Sequence, residues 1–291
     1  QMLTPRDLRG MQLGQCFYIP IVDETGGMLN DPVALKLAED RWWISIADSD
    51  LLLWVKGLAY GYRLDVLVDE PDVSPLAVQG PLADDLMARV FGDAIRQIKF
   101  FRFGWFDFQG VSMAVARSGY SKQGGFEIYV DGTANGMPLW NALMEAGKDL
   151  DVFAGCPNGI ERIEGGMLSY GNDMTSHNTP HEAGLGRFCS TQTAIGCVGR
   201  DALLRVSKEG PNQQIRAIEI DGDMPAIDRV WPIMAGSKRV GQVTSAAKSP
   251  DFGTGVAIGM VKMTHWDEGT PLQVETPDGM RAAIVHENFW I

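Results

Sequence analysis

Apolar and polar positions alternate in short runs along the first third of the chain, which predicts strands joined by turns. Residues 17–22 form a β-prone run, and Pro20 inside it points to an edge or irregular position. Asp23-Glu24-Thr25-Gly26-Gly27 is a turn signal. Residues 42–47 read as a second strand. Asp48-Ser49-Asp50 then offers N-cap chemistry for a helix through Leu51, Leu52, Val55, Leu58 and Ala59. Residues 64–68 alternate as a strand, and 82–91 show helical spacing through Leu82, Leu86, Met87 and Val90. Strands are expected at 98–103, 105–108, 111–115 and 126–130. The last places Glu127 and Tyr129 on one face and Phe126, Ile128 and Val130 on the other. Residues 139–146 and 160–168 look helical.

The final ninety or so residues change character. Short strands at 215–220, 240–244, 256–261, 272–274 and 282–285 are separated by Gly, Pro and Asp, which predicts a small antiparallel barrel or sandwich. The fold class is therefore α+β, followed by a mostly β domain, with a boundary near residues 189–199. No internal repeat or low-complexity tract interrupts this order.

Composition changes the picture little. Of 291 residues, 45% are hydrophobic and 21% charged, which is ordinary for a globular protein. The net charge of -12 does more, because so acidic a surface repels phosphate backbones and argues against general nucleic-acid binding. No apolar run approaches the roughly 18 residues of a membrane span. The start is neither a signal nor a transit peptide. Four scattered cysteines without a Cys-x-x-Cys pair fit reduced thiols in a cytoplasmic protein.

Several chemical motifs fail on their context. Gly253-x-Gly255 precedes a strand rather than following one, so it is no dinucleotide fingerprint. His177 and His181 have zinc-like spacing, but Thr179-Pro180 lies between them, and no metal site is expected. Ser245-x-x-Lys248 lacks the companion motifs of a penicillin-binding site.

Four blocks in fixed order are more informative. They are Gly26-Gly27-Met28-Leu29-Asn30-Asp31, residues 118–128 (Ser-Gly-Tyr-Ser-Lys-Gln-Gly-Gly-Phe-Glu-Ile), residues 161–173 (beginning Glu-Arg-Ile-Glu-Gly-Gly) and residues 179–186 (Thr-Pro-His-Glu-Ala-Gly-Leu-Gly). With the tail at 241–250 they resemble the glycine-cleavage T-protein family of tetrahydrofolate-dependent aminomethyl- and methyltransferases. The resemblance covers nearly the whole chain. Residues 42–50, 70–81 and 121–125 look like the dimethylsulfoniopropionate demethylase branch. The chain departs from the glycine-cleavage protein itself at 119–125, at Pro157-Asn158-Gly159 and at Arg187, and from the demethylases at Tyr120.

The resemblance implies a ring-like fold with folate in a central channel. It divides the chain into a folate-binding α+β region of two intertwined subdomains over 1–190 and a β-barrel domain over 191–291. An opening segment of the family's first subdomain is expected before Gln1. The implied reaction moves a methyl group from a small sulfonium donor to tetrahydrofolate, with no metal, nucleic acid or membrane involved; a homodimer is one possible assembly. A related aminomethyltransferase, an N- or O-demethylase, and a non-catalytic folate-binding protein are the rival functions.

Residue roles follow the same resemblance. Asp31 is the candidate catalytic acid–base group and folate contact; read alone, it is rather a turn cap before Pro32, and the resemblance reverses that order. Glu127 matches the family's pterin-binding glutamate, since a carboxylate accepts paired N–H donors; read alone, it is an outward strand residue. Arg162 is a candidate for the anionic folate tail, or a partner of Glu164 or Glu182. Tyr170 lines a pterin slot or belongs to the core. For the sulfonium, aromatic faces attract a cation, which makes Tyr120 and Tyr129 candidates. Ser45 is the carried-over polar contact, and Lys122 is assigned by charge to the donor's carboxylate. Most of the eight tryptophans, Trp54 among them, are expected in the core.

Overall fold

The computed structural model describes residues 1–47, 50–190, 192, 193 and 195–290. Its first part carries β1 (Cys16–Tyr18), β2 (Ile21–Val22), β3 (Met28–Asn30), β4 (Val33–Lys36), β5 (Trp42–Ser45), α1 (Leu51–Gly61), β6 (Val73–Gln79) and α2 (Ala83–Phe91). β7 (Phe103–Phe108), β8 (Val111–Ala116), β9 (Gly125–Asp131), α3 (Gly136–Ala146), α4 (Gly159–Glu164) and α5 (Arg200–Glu209) follow. The last part is β10 (Gln213–Ile220), β11 (Trp231–Ala235), β12 (Lys238–Lys248), β13 (Gly255–Lys262), β14 (Pro271–Thr276) and β15 (Gly279–His286).

Two antiparallel sheets face each other in the first part, in orders β1-β4-β5 and β6-β9-β8-β7. Alternation along β8 and β9 explains the layering. Met113, Val115, Phe126, Ile128 and Val130 point to α2 and α3, where they bury Leu86, Met87, Leu139 and Leu143. Ala114, Ala116 and Tyr129 point the other way, onto Cys16 and Leu35 of the three-stranded sheet. The strands from β10 to β15 close into a barrel in the order β10-β13-β12-β11-β14-β15. Closure through β10–β15 pairing removes the free edges a sandwich would leave. The barrel is filled by Ile218, Trp231, Ile233, Val243, Val261 and Val285. Another core joins barrel and front: Val22, Met28 and Ile163 pack with Leu203, Ile215 and Val256.

Local expectations are corrected in four places. Pro20 splits the run 17–22 into β1 and β2. Residues 64–68 have strand alternation but no partner, and Val66 and Leu67 are exposed. Residues 98–101 leave a 3-10 helix without strand pairing, with Phe101 at φ 55°, and Arg102 makes an isolated bridge to Gln15, so the strand starts at Phe103. The helix expected over 160–168 stops at Glu164, because Gly165 and Gly166 follow and Gly166 has φ 63°. At the α1 start, Asp48 and Ser49 lie outside the described residues; Asp50 sits at the N-cap without a side-chain capping bond.

Candidate active site

Asp31 is delivered by the β2–β3 hairpin, and the sequence of its turn explains how. The Asp23 carboxylate accepts the N–H groups of Thr25 (2.8 Å) and Gly27 (2.9 Å). Gly26 takes φ 86°, open mainly to glycine. Gly27 is needed for a different reason: a Cβ there would lie 2.1 Å from the Ser176 carbonyl oxygen. β3 then runs to Asn30, paired with Ile21, and the Asn30 amide oxygen accepts the Asp31 N–H at 2.7 Å.

The Asp31 carboxylate accepts a hydrogen bond from the Tyr18 phenol. Burial pushes Asp31 up; the Tyr18 bond and a backbone N–H pull it back, and the charge of Asp173 adds to the rise, leaving it at about 6. Burial and the facing Asp31 push the Tyr18 phenol far above its usual range, so it stays a neutral donor. Tyr18 is held by an edge-on contact with Phe188, centroids 5.2 Å apart, and by Arg6, which donates to its carbonyl at 2.6 Å.

Register brings the other candidates into relation. Tyr18 pairs with Val33, and Val33 with Ser45, so the three side chains share one face of the sheet in a single row. The Ser45 hydroxyl is in hydrogen-bonding reach of the Tyr129 phenol, whose acidity is suppressed first by burial and then by Glu127. Trp43 lies against Tyr129 (5.7 Å) and Trp105 (6.1 Å). Glu127, beside Tyr129 on the same face, accepts from the Ser118 hydroxyl and keeps lone pairs for further donors.

Tyr120 donates to the carbonyls of Met167 (3.1 Å) and Leu168 (2.9 Å), so its ring is what it can offer a cation. Burial raises its phenol; Arg162 opposes the rise, and Asp173 and Asp31 add to it, which places these groups in one electrostatic neighbourhood.

Arg162 has a partner the sequence did not suggest. It pairs with Asp173 at 2.8 Å, not with Glu164 or Glu182, and it also donates to Met167 O and to Ser245 Oγ. Asp173 is buried and accepts from Ser169 N, Thr244 and Ser245 as well. The Lys122 ammonium is likewise engaged, with buried Glu164, which also accepts from Ser249 at 2.5 Å. Glu182 caps the Thr179 N–H instead. Tyr170 packs on the core between barrel and front; burial, and after it the charge of Asp23 in the hairpin, raises its phenol, and no hydrogen bond links it to Asp31. His181 is pushed down by burial, and among the described residues no group of three His, Cys, Asp or Glu side chains could hold a metal.

An opening of about 320 Å³ between α4 and the barrel is lined by Asn158, Arg162, Asn172 and Ser245. A larger groove of about 590 Å³, along Lys56, Tyr60 and Arg63, touches none of the groups around Asp31 and has no evident part in this chemistry. Tyr18, Asp173, Trp43 and Ser245 were missed as site residues. Trp43 stood within 42–50, Asp173 within the block 161–173 and Ser245 within the tail 241–250; Tyr18 stood outside every one of these blocks.

Residues 1–193 match the model of the GCVT N-terminal domain, and residues 213–290 match that of the glycine cleavage T-protein C-terminal barrel domain. The chain belongs to the glycine-cleavage T-protein family. Within that family it is 59% identical to the dimethylsulfoniopropionate demethylase DmdA of Ruegeria pomeroyi, over 100% of this chain and 79% of that protein. An aminomethyltransferase of Clostridium botulinum is 26% identical over 100% of the chain and 80% of its own length. The crystal structure of glycine cleavage system aminomethyltransferase T from Bartonella henselae superposes with a TM-score of 0.84 at 25% identity, covering 99% of this chain and 81% of that one. The T-protein fold, with its closed barrel, is thus the fold of this chain. Among the described residues no helix is long and apolar enough to cross a membrane.

Proposed function

We propose that this T-protein relative transfers a methyl group from the sulfonium of dimethylsulfoniopropionate to N5 of tetrahydrofolate, yielding methylmercaptopropionate and 5-methyltetrahydrofolate. The observation that carries the reading is Asp31, a largely buried carboxylate held at about 6 beside a neutral phenol, in a chain 59% identical to a demethylase of that donor. The residues present fit a pterin. The Asn30 side-chain nitrogen is buried without a partner beside Asp31, and Glu127 has unused acceptor capacity.

Bound tetrahydrofolate supplies the N5 lone pair that displaces a neutral thioether, the C–S electron pair returning to sulfur. The chain's own residues position, desolvate and move one proton. Asp31, ionised above pH 6, stabilises the positive charge developing at N5 and accepts its proton. Glu127 holds the donor edge of the pterin, with Tyr170 beside it; Arg162, already shared with Asp173, faces the anionic tail. Ser45, Tyr129 and Tyr120 form the sulfonium end, where an aromatic face contributes about 0.5–2 kcal/mol. Lys122 meets the donor carboxylate while shared with Glu164. Holding the two reactants in line supplies on the order of 7–11 kcal/mol of the barrier.

The protein works as a cytoplasmic enzyme in this reading, which its four unpaired cysteines suit. The test is an assay with tetrahydrofolate and a panel of donors. 5-Methyltetrahydrofolate should form with the sulfonium and not with sarcosine or an aryl methyl ether. Product from those donors instead would favour the aminomethyl or N-/O-demethylase alternatives, and folate binding without turnover a non-catalytic role.

A further inference from the structure

We infer that Tyr18 is a positioning residue for this methyl transfer: its phenol fixes one oxygen of Asp31 and leaves the other free to take the proton. The inference rests on the proposed reaction for its purpose, but not for its geometry. Tyr18 donates to Oδ2 of Asp31, and no side chain among the described residues donates to Oδ1. A carboxylate with one oxygen tied cannot rotate freely, so its remaining lone pairs keep a constant direction.

The tie is itself held from three sides. β1 fixes the Tyr18 backbone against Val33. Phe188 meets the ring edge-on. Arg6, stacked 4.0 Å from the Phe17 ring and 5.0 Å from that of Phe188, donates to the Tyr18 carbonyl. None of these contacts involves Asp31, so the phenol is placed independently of the group it holds.

The bond also decides when Asp31 can act. A hydrogen bond to the charged form favours that form. Here it opposes burial, the larger influence, and the repulsion of Asp173. Tyr120, on the 118–125 loop, and Asp31 feel each other's charge, Arg162 pairs with Asp173, and the Arg187 charge pulls the Tyr18 phenol down. Removing the phenol leaves burial and Asp173 less opposed, so Asp31 must titrate at a higher pH.

Tyr18→Phe tests this, since it keeps the ring that packs on Phe188. Carbon-13 NMR of labelled aspartate in the full chain, with the Asp31 signal assigned by Asp31→Asn, should show Asp31 titrating about one pH unit or more higher than in the parent. In turnover, kcat should fall at both pH values as the carboxylate loses its fixed direction, and about five-fold further at pH 6 than at pH 8, with KM for the sulfonium unchanged. An unmoved Asp31 titration overturns the inference, as does an equal loss of kcat at both pH values. If the parent protein fails to demethylate any donor, the proposed reaction falls, while the NMR titration still decides whether Tyr18 governs Asp31.

Discussion

Asp31 is a worse carboxylate in the folded chain than in the unfolded one. Its ordinary value of 3.8 is raised to about 6, chiefly by burial. A raised carboxylate binds its proton more tightly when folded, so stability is fully present below pH 4 and declines as pH rises through 6. Asp31→Asn should therefore stabilise the protein at pH 8 by about 1–3 kcal/mol, a gain that shrinks toward pH 4.5, as urea unfolding at the two pH values will show. The same site should lose function on substitution. Asp31→Ala should lower turnover at least about ten-fold with an unchanged circular-dichroism spectrum. A residue whose removal stabilises the fold and abolishes turnover is retained for its chemistry. The sequence pointed to Asp31 only through its block. It could not point to Tyr18, because nothing in Cys16–Tyr18 distinguishes an edge strand from one that supplies a hydrogen bond to a carboxylate thirteen residues later.

At the scale of elements, the β2–β3 hairpin shows why two glycines precede the acid. Gly26 supplies a left-handed turn and Gly27 a close approach to the Ser176 carbonyl. Gly27→Ala should force that carbonyl away and displace Asp31. We expect a loss of about 2–4 kcal/mol of stability, measured by urea unfolding, together with a fall in kcat larger than any rise in KM. Strands were legible where alternation met a partner, as in β9. They were misread where alternation met none, as at 64–68, and β11, which carries Pro232 and pairs with β12 and β14, was not among the expected strands. Pairing is decided by distant chain, and local pattern does not report it.

Over the whole molecule, barrel and front are joined by buried polar bonds as well as by an apolar core. Thr244 and Ser245 of β12 donate to Asp173, and Ser249 donates to Glu164. Asp173→Ala would leave Arg162 largely buried without its counter-ion, and it should cost about 3–5 kcal/mol in urea unfolding. Arg162→Met/Asp173→Leu together should cost far less, since both charges are then gone. The resemblance made the two regions legible as units. It did not reveal their joint, because Arg162 and Asp173 find Ser245 across more than seventy residues of chain.

The row Tyr18–Val33–Ser45 has a consequence for donor choice. Neighbouring strands stand about 4.8 Å apart, so backbone hydrogen bonding sets the backbones of Tyr18, whose phenol holds Asp31, and Ser45 roughly 10 Å from each other. That span is a ruler the side chains cannot stretch. On the proposed reaction, changes at Ser45 or Tyr129 alter what is gripped, whereas the length of the ruler is fixed by β4. Val33 is the mark at the middle of the ruler, and it is held there by packing against the core of Cys16, Leu35 and Tyr129, so the spacing of the two outer residues is anchored in the interior of the fold.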